Sequence, residues 1–322
     1  MIEARGLTKR YGATLAVNDL SFTVRPGTVT GFLGPNGAGK TTTMRMILGL
    51  DAPTAGTVTI GGRPHRDLPR PMHQVGALLD ARALHGGRTA RSHLLCLAQT
   101  NGISRRRVDE VLDLVGLADV ARRRSKAFSL GMAQRLGIAA ALLGDPAVLM
   151  FDEPVNGLDP EGITWIRTLM QSLAGEGRTV LVSSHLMAEM ENTAAHLLVI
   201  GRGRLIADCS MAAFMARSSA QAVLVRTPQP AELASAVAAA GGTVTRPSDD
   251  EAGTDSDGDG ADALQVRGLT QDQVADLAFA RGIRLRHLAA ARVSLEQAFM
   301  ELTADSVEYH AGRPTAGAGT EA

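Results

Sequence analysis

The sequence predicts an α/β fold, a parallel sheet flanked by helices, followed by a smaller α+β domain. Three observations predict it. The first is Gly34-Pro35-Asn36-Gly37-Ala38-Gly39-Lys40-Thr41, which fits the phosphate-loop spacing G-x-x-x-x-G-K-[ST] at every fixed position. It lies between an apolar run, Val29-Thr30-Gly31-Phe32-Leu33, and a helical run over 40–50. That strand–loop–helix order is the context the motif requires. The second is Val148-Leu149-Met150-Phe151, an apolar run ending in Asp152-Glu153; an unbroken apolar strand suits the interior of a parallel sheet. The third is renewed alternation of short strand and helix patterns beyond residue 221.

Taken in chain order, the first ~80 residues read as strands broken by glycine and proline turns, with the phosphate-loop helix among them. Glycines let backbone N–H groups turn inward on a polyphosphate, and the helix N-terminus adds its positive dipole end. Lys40 can reach β- and γ-phosphates, and the Thr41 hydroxyl can hold Mg²⁺. Residues 75–79 are strand-like and lead to Asp80 and a loop over 81–88. From about Leu94 to Leu143 the pattern turns helical, with amphipathic spacing over 108–115. Arg105-Arg106-Arg107 and Arg122-Arg123-Arg124 lie here; they read as solvated faces, or as contacts for a membrane subunit or anionic headgroups.

The acidic strand end carries chemistry. Asp152 is placed to hold a Mg²⁺ shell, and Glu153 to polarise a water for in-line attack on a γ-phosphate. Asp159-Pro160 opens a helix with cap and N1 residues in the expected order, running to about Ala174. The strand Thr179-Val180-Leu181-Val182-Ser183-Ser184 then delivers His185.

These pieces form a recognisable series. Ser129-Leu130-Gly131-Met132-Ala133-Gln134-Arg135 lies upstream of the acidic strand, and Asn156-Gly157-Leu158-Asp159 follows it. In this order the set resembles the ATP-binding cassette (ABC) ATPases, and the drug- and lantibiotic-exporter branch among them, over roughly residues 1–215. The resemblance implies a P-loop NTPase nucleotide-binding domain with a helical subdomain over about 85–143. It implies ATP and Mg²⁺ as cofactors, Glu153 and His185 as catalytic residues, and ATP contacts from Tyr11 and from Gly34, Pro35, Asn36, Gly37, Ala38, Gly39, Lys40, Thr41 and Thr42. Ser129, Gly131 and Gln134 would face the ATP of an opposite subunit, Asp159 would be the D-loop acid, and Thr41, Asp152 and Asp80 would surround the metal. Tyr11 would stack on adenine, although a lone tyrosine also serves as packing. Three positions depart from the family pattern, one of them Met132, which stands where the signature commonly has glutamine. Leu130 stands where the signature has its first glycine, and Asp80 stands where the Q-loop has glutamine. A carboxylate accepts hydrogen bonds and can approach the metal but cannot donate as an amide does; the alternative is a shifted loop with Asp80 simply solvated.

Composition agrees. The chain has 322 residues, enough for two domains, with 33 basic and 33 acidic residues. The balance gives no bulk attraction to nucleic acid. Lys9, Lys40 and Lys126 are the only lysines, which excludes the Asn-Lys-x-Asp base-recognition motif of small GTPases. Cys96 and Cys209 lack metal-ligand spacing. One cassette without coiled-coil or zinc insertions argues against ribosome- or DNA-acting relatives. No apolar run approaches the ~20 residues of a bilayer helix. The expected partners are therefore a separate membrane-spanning permease and a second ATPase subunit, as homodimer or heterodimer. The expected place is cytoplasmic, on the inner face of the cell membrane.

The second domain is expected over 221–303. Strands are predicted over 222–226, 243–245, 264–266 and 283–288, with helices over 230–240 and 271–280. Ser294-Leu295-Glu296-Gln297 fits a capping box opening a last helix. Residues 248–262 are acidic and glycine-rich and read as a disordered insert; 304–322 read as a disordered tail.

Overall fold

A computed structural model of the chain describes residues 1–219, 222–246, 263–290, 295–296 and 299. The expected insert and the tail over 304–322 fall outside the described residues, as does Ser294; of the helix expected to open there, 295–296 and 299 are described and are helical. The chain divides into two compact units between Asp208 and Cys209, ahead of the expected boundary at 215.

The first unit opens with β1 (Ile2–Tyr11), β2 (Thr14–Val24), β3 (Val29–Leu33), α1 (Lys40–Ile47), β4 (Ala55–Ile60) and β5 (Val75–Leu78). It continues with α2 (Ala90–Thr100), α3 (Arg105–Leu114), α4 (Leu130–Leu142), β6 (Val148–Asp152) and α5 (Pro160–Gly175). Then come β7 (Thr179–Ser184), α6 (Met187–Glu191), β8 (His196–Gly201) and β9 (Arg204–Ser210), whose last residues pass into the second unit. A three-stranded antiparallel sheet has the order β2-β1-β4, and a six-stranded sheet the order β5-β6-β7-β3-β8-β9.

Pairing is parallel from β5 across to β8. Its inner strands β3, β6 and β7 are buried at every residue, because helices and the second sheet cover both faces. Phe22 of β2 meets Phe32 of β3 with centroids 5.9 Å apart, joining the two sheets through a core that includes Met44 and Ile47 of α1.

Helix starts are set by short polar caps. Thr89, Ser104, Ser129 and Asp159 each accept a backbone N–H from the first turn of α2, α3, α4 and α5, a contact whose loss costs about 1 kcal/mol. In α1 the cap is Gly39, with no side-chain acceptor, so the N–H groups of its first turn stay available to an anion. The expected solvated arginine run 105–107 is only partly that. Arg107 turns in, and its Nη2 donates to Leu142 O at 3.0 Å, a cation at a helix C-terminus.

The second unit contains α7 (Met211–Ser219), β10 (Ala222–Arg226), α8 (Pro230–Ala239), β11 (Thr243–Thr245), β12 (Ala263–Arg267), α9 (Gln271–Ala280) and β13 (His287–Ala290). Its sheet has the order β11-β12-β10-β13, antiparallel at each junction. Each strand–helix–strand crossover skips one strand, the split βαβ arrangement. The strand expected over 283–288 forms later: Arg286 N donates to Arg226 O at 2.7 Å, and pairing with β10 then runs from His287 to Ala290. Ile283 instead joins the core of this unit.

Candidate functional site

The carboxyl ends of β3, β6 and β7 meet on one side of the parallel sheet, where ligands bind in open α/β folds. Each end delivers one part of the site. Beyond β3 the loop reaches α1 with Gly37 at φ 81° and Gly39 at φ 104°, left-handed values that favour glycine. A Cβ on Gly39 would stand 2.6 Å from Ala16 O. The loop surrounds a cleft of ≈ 270 Å³ lined by Ala16, Pro35, Asn36, Gly37, Gly39, Lys40, Thr41, Thr42, Leu79, Asp152 and Glu153. Gly34 and Ala38 act behind it. Gly34 O accepts from Lys40 Nζ at 2.6 Å, and Ala38 N donates to Pro35 O at 3.1 Å.

Lys40 is only 7% exposed. Burial pushes its ammonium below the usual lysine range, while Glu153 and Asp152 pull the other way. Its second acceptor is Pro35 O at 3.4 Å. Thr41 Oγ1 donates to Asp152 Oδ2 at 2.7 Å, so two hard oxygens from different elements share one spot.

The β6–β7 register sets Asp152 opposite Ser183. Ser183 Oγ donates to Asp152 Oδ1 and accepts from Glu153 N at 3.1 Å. Glu153 has φ 50°, a left-handed conformation costing about 1–2 kcal/mol for a non-glycine residue. It is held by Ser183 below it, by Gln134 Nε2 donating to its carbonyl at 3.1 Å, and by His185, whose Nδ1 lies 2.7 Å from its Oε2. The acid, the histidine and the phosphate loop therefore converge.

Three of the expected site residues, Gln134, Asp80 and Tyr11, do not line the cleft. Gln134, expected to face a partner's nucleotide, is buried; its amide needs an internal partner and finds Glu153 O. Asp80 is exposed and its Oδ1 accepts from Arg82 N at 2.7 Å, so the carboxylate serves its own turn and Leu79 lines the cleft instead. Tyr11 stands at the end of β1, 47% exposed, outside the cleft lining. Ser129 is exposed and caps α4 through Met132 N at 3.2 Å. A Cβ on the neighbouring Gly131 would lie 2.8 Å from Gly157 O, so the start of α4 touches the 156–159 loop. Asp159 caps α5 through Gly162 N at 2.9 Å. Sequence reasoning missed Ser183 as a site residue: a serine ending an apolar strand reveals its role only through cross-strand register.

The model of the ABC transporter family matches residues 17–156. The bacitracin transport ATP-binding protein of Bacillus licheniformis is 43% identical over 65% of this chain and 69% of its own length. The lantibiotic transport ATP-binding protein of Streptococcus pyogenes is 36% identical over 65% and 90%. The chain belongs to the ATP-binding proteins of ABC transporters. As such it binds and hydrolyses ATP.

Solved structures agree with this family. An ATP-binding subunit of an ABC transporter superposes with a TM-score of 0.62 at 29% identity, covering 68% of this chain and 92% of its own. A dimeric ATP-binding cassette in a post-hydrolysis state with ADP and Pi has a TM-score of 0.60 at 25% identity, covering 66% and 99%. Residues 221–296 match a separate family described as a domain of unknown function (DUF8746). Among the described residues no helix is long and apolar enough to cross a membrane.

Proposed function

We propose that this ABC ATPase binds Mg²⁺·ATP in the cleft at the ends of β3, β6 and β7, works in a head-to-tail pair, and powers export through a separate membrane-spanning permease. One observation carries the reading: Lys40 and Thr41 line a single cleft together with Asp152 and Glu153, more than a hundred residues on, and His185 holds the Glu153 carboxylate at its edge. Export is supported by similarity to the bacitracin and lantibiotic transport proteins and to a Nod factor export ATP-binding protein of Burkholderia orbicola, 42% identical over 70% of its length. The corresponding place of work is the inner face of the cell membrane, held there by the permease.

The residues suit Mg²⁺. Thr41 Oγ1 and Asp152 Oδ2, 2.7 Å apart, are hard oxygen donors of the kind this ion takes together with water and substrate phosphate. When bound, the ion neutralises charge on the β- and γ-phosphate oxygens. The chain supplies the rest. Backbone N–H groups of the loop and of the first turn of α1 cradle the phosphates, with Lys40 as their buried cation. Glu153 orients the attacking water and accepts its proton; His185 fixes the carboxylate and carries a γ-phosphate contact. Tyr11 supplies the surface on which adenine stacks. Ser129 and Gly131, at the start of α4, complete the partner's site, with Asp159 in the loop beside them. Asp80 is left out of the metal shell, since its carboxylate is engaged at Arg82.

The test is Glu153→Gln. It keeps the side chain's size and removes the proton acceptor, so ATP binding should persist while single-turnover hydrolysis falls by about 10²-fold or more. An ATP-bound dimer should then accumulate in size-exclusion chromatography. Hydrolysis at the wild-type rate would remove Glu153 from this role.

A further inference from the structure

An exposed tyrosine at a strand end ordinarily samples several rotamers. Tyr11 does not have that freedom. Its hydroxyl donates to Asp51 Oδ2 at 2.8 Å. The Asp51 carboxylate is gripped in turn by Arg45, from the last turn of α1, with Nε–Oδ2 at 2.8 Å and Nη2–Oδ1 at 3.1 Å. That is a bidentate, charge-assisted pair. Arg45 first and the Tyr11 hydroxyl second hold the Asp51 carboxyl down at about 2, so the acceptor stays ionised.

The backbone is tied as firmly. Leu50 N and Asp51 N both point to Arg45 O, at 2.9 and 3.4 Å. Lys9 Nζ donates to Ala52 O at 2.6 Å, and Arg10 N to Thr54 Oγ1 at 3.0 Å. The 51–54 segment is thus fastened to the end of β1 on one side and to the phosphate-loop helix on the other. Lys9 Nζ also lies 4.9 Å from the Tyr11 ring centroid, within cation–π range.

We propose that Asp51, held by Arg45, is a positioning residue that fixes the Tyr11 ring as a preformed platform for the nucleotide base. The proposal rests on the reading of Tyr11 as the base-stacking residue. Asp51 does not touch the phosphates. It removes beforehand the rotamer freedom that Tyr11 would otherwise lose on binding, and it couples ring position to α1, the helix whose first turn meets the phosphates.

The experiment measures Kd by calorimetry on the full chain for Mg²⁺·ATP and for inorganic tripolyphosphate, a ligand with phosphates and no base. Asp51→Ala should weaken ATP about fivefold, the value of one ordered side chain, and leave tripolyphosphate unchanged. Tyr11→Phe should match it, and the double variant should add nothing further, as expected for groups acting through one contact. Two results would overturn the proposal: ATP affinity unchanged in Asp51→Ala although Tyr11→Ala weakens it, or tripolyphosphate weakened as much as ATP. If Tyr11→Ala itself leaves ATP affinity intact, the base-stacking reading fails first, and the proposal with it.

Discussion

Replacing Ser183 by alanine tests the central claim that cross-strand register, rather than the motif residues alone, assembles the catalytic corner. Ser183 is fully buried, and its hydroxyl joins the two acids by donating to Asp152 and accepting from Glu153 N. In the alanine variant Glu153 N keeps a second acceptor, Ser183 O at 3.2 Å in the parent, so no donor is orphaned. Asp152 keeps Thr41. What disappears is one hydrogen bond to a carboxylate in a largely buried site, worth about 1.5–3 kcal/mol. For a unit of roughly 200 residues, ~2 kcal/mol lowers the midpoint of unfolding by about 4–8 °C. Trp165, the single tryptophan, lies in α5 and reports unfolding of this unit by fluorescence. Function should suffer more than stability. Glu153 holds a left-handed backbone with φ 50°, and a loosened latch lets its carboxylate drift. A displacement of ~1 Å lowers single-turnover hydrolysis by about 10²-fold, whereas ATP affinity, set by the phosphate loop, stays near the parent value. Unchanged melting together with unchanged hydrolysis would refute the reasoning; parallel losses of affinity and rate would shift the role of Ser183 to the phosphate loop.

Two further outcomes are expected. Burial lowers the Lys40 pKa in the free protein, so between that value and the ordinary lysine range the unfolded chain binds more protons. Stability contributed at Lys40 therefore rises with pH through this window. A bound polyphosphate reverses the shift, so ATP binding should take up a proton at alkaline pH and weaken as pH rises. Calorimetry in buffers of different ionisation enthalpy reads this uptake, which should be absent in Lys40→Ala. Separately, Ser129→Arg should leave ATP binding by a single subunit intact and impair hydrolysis. Mixing it with Lys40→Ala should regain activity through sites pairing one intact Lys40 with one intact Ser129, and demonstrated mixed dimers without activity would count against shared sites.

The phosphate loop, the acidic strand end and Asp159-Pro160 were legible in the sequence because their chemistry depends on local spacing, and local spacing is what a chain displays without folding; His185 was singled out only through the family resemblance. The apolar runs of β3, β6 and β7 were legible for the same reason: a strand buried on both faces has no polar alternation to hide it. Tertiary structure alone decided the rest. Ser183 became a site residue because β7 pairs with β6 in one particular register. Gln134 supports Glu153 from inside the chain, its Nε2 donating to the Glu153 carbonyl, since a buried amide must find a partner wherever packing places it. Asp80 caps its own turn, its Oδ1 accepting from Arg82 N. Asp51 gained its hold on Tyr11 only when the end of α1 was brought beside the end of β1. In the second unit the strand and helix patterns of β10 to α9 could be read in order, but the skipping of one strand at each crossover, which makes that sheet antiparallel, is a choice among pairings. Such choices are settled by which faces bury each other, and no single stretch of residues carries that information.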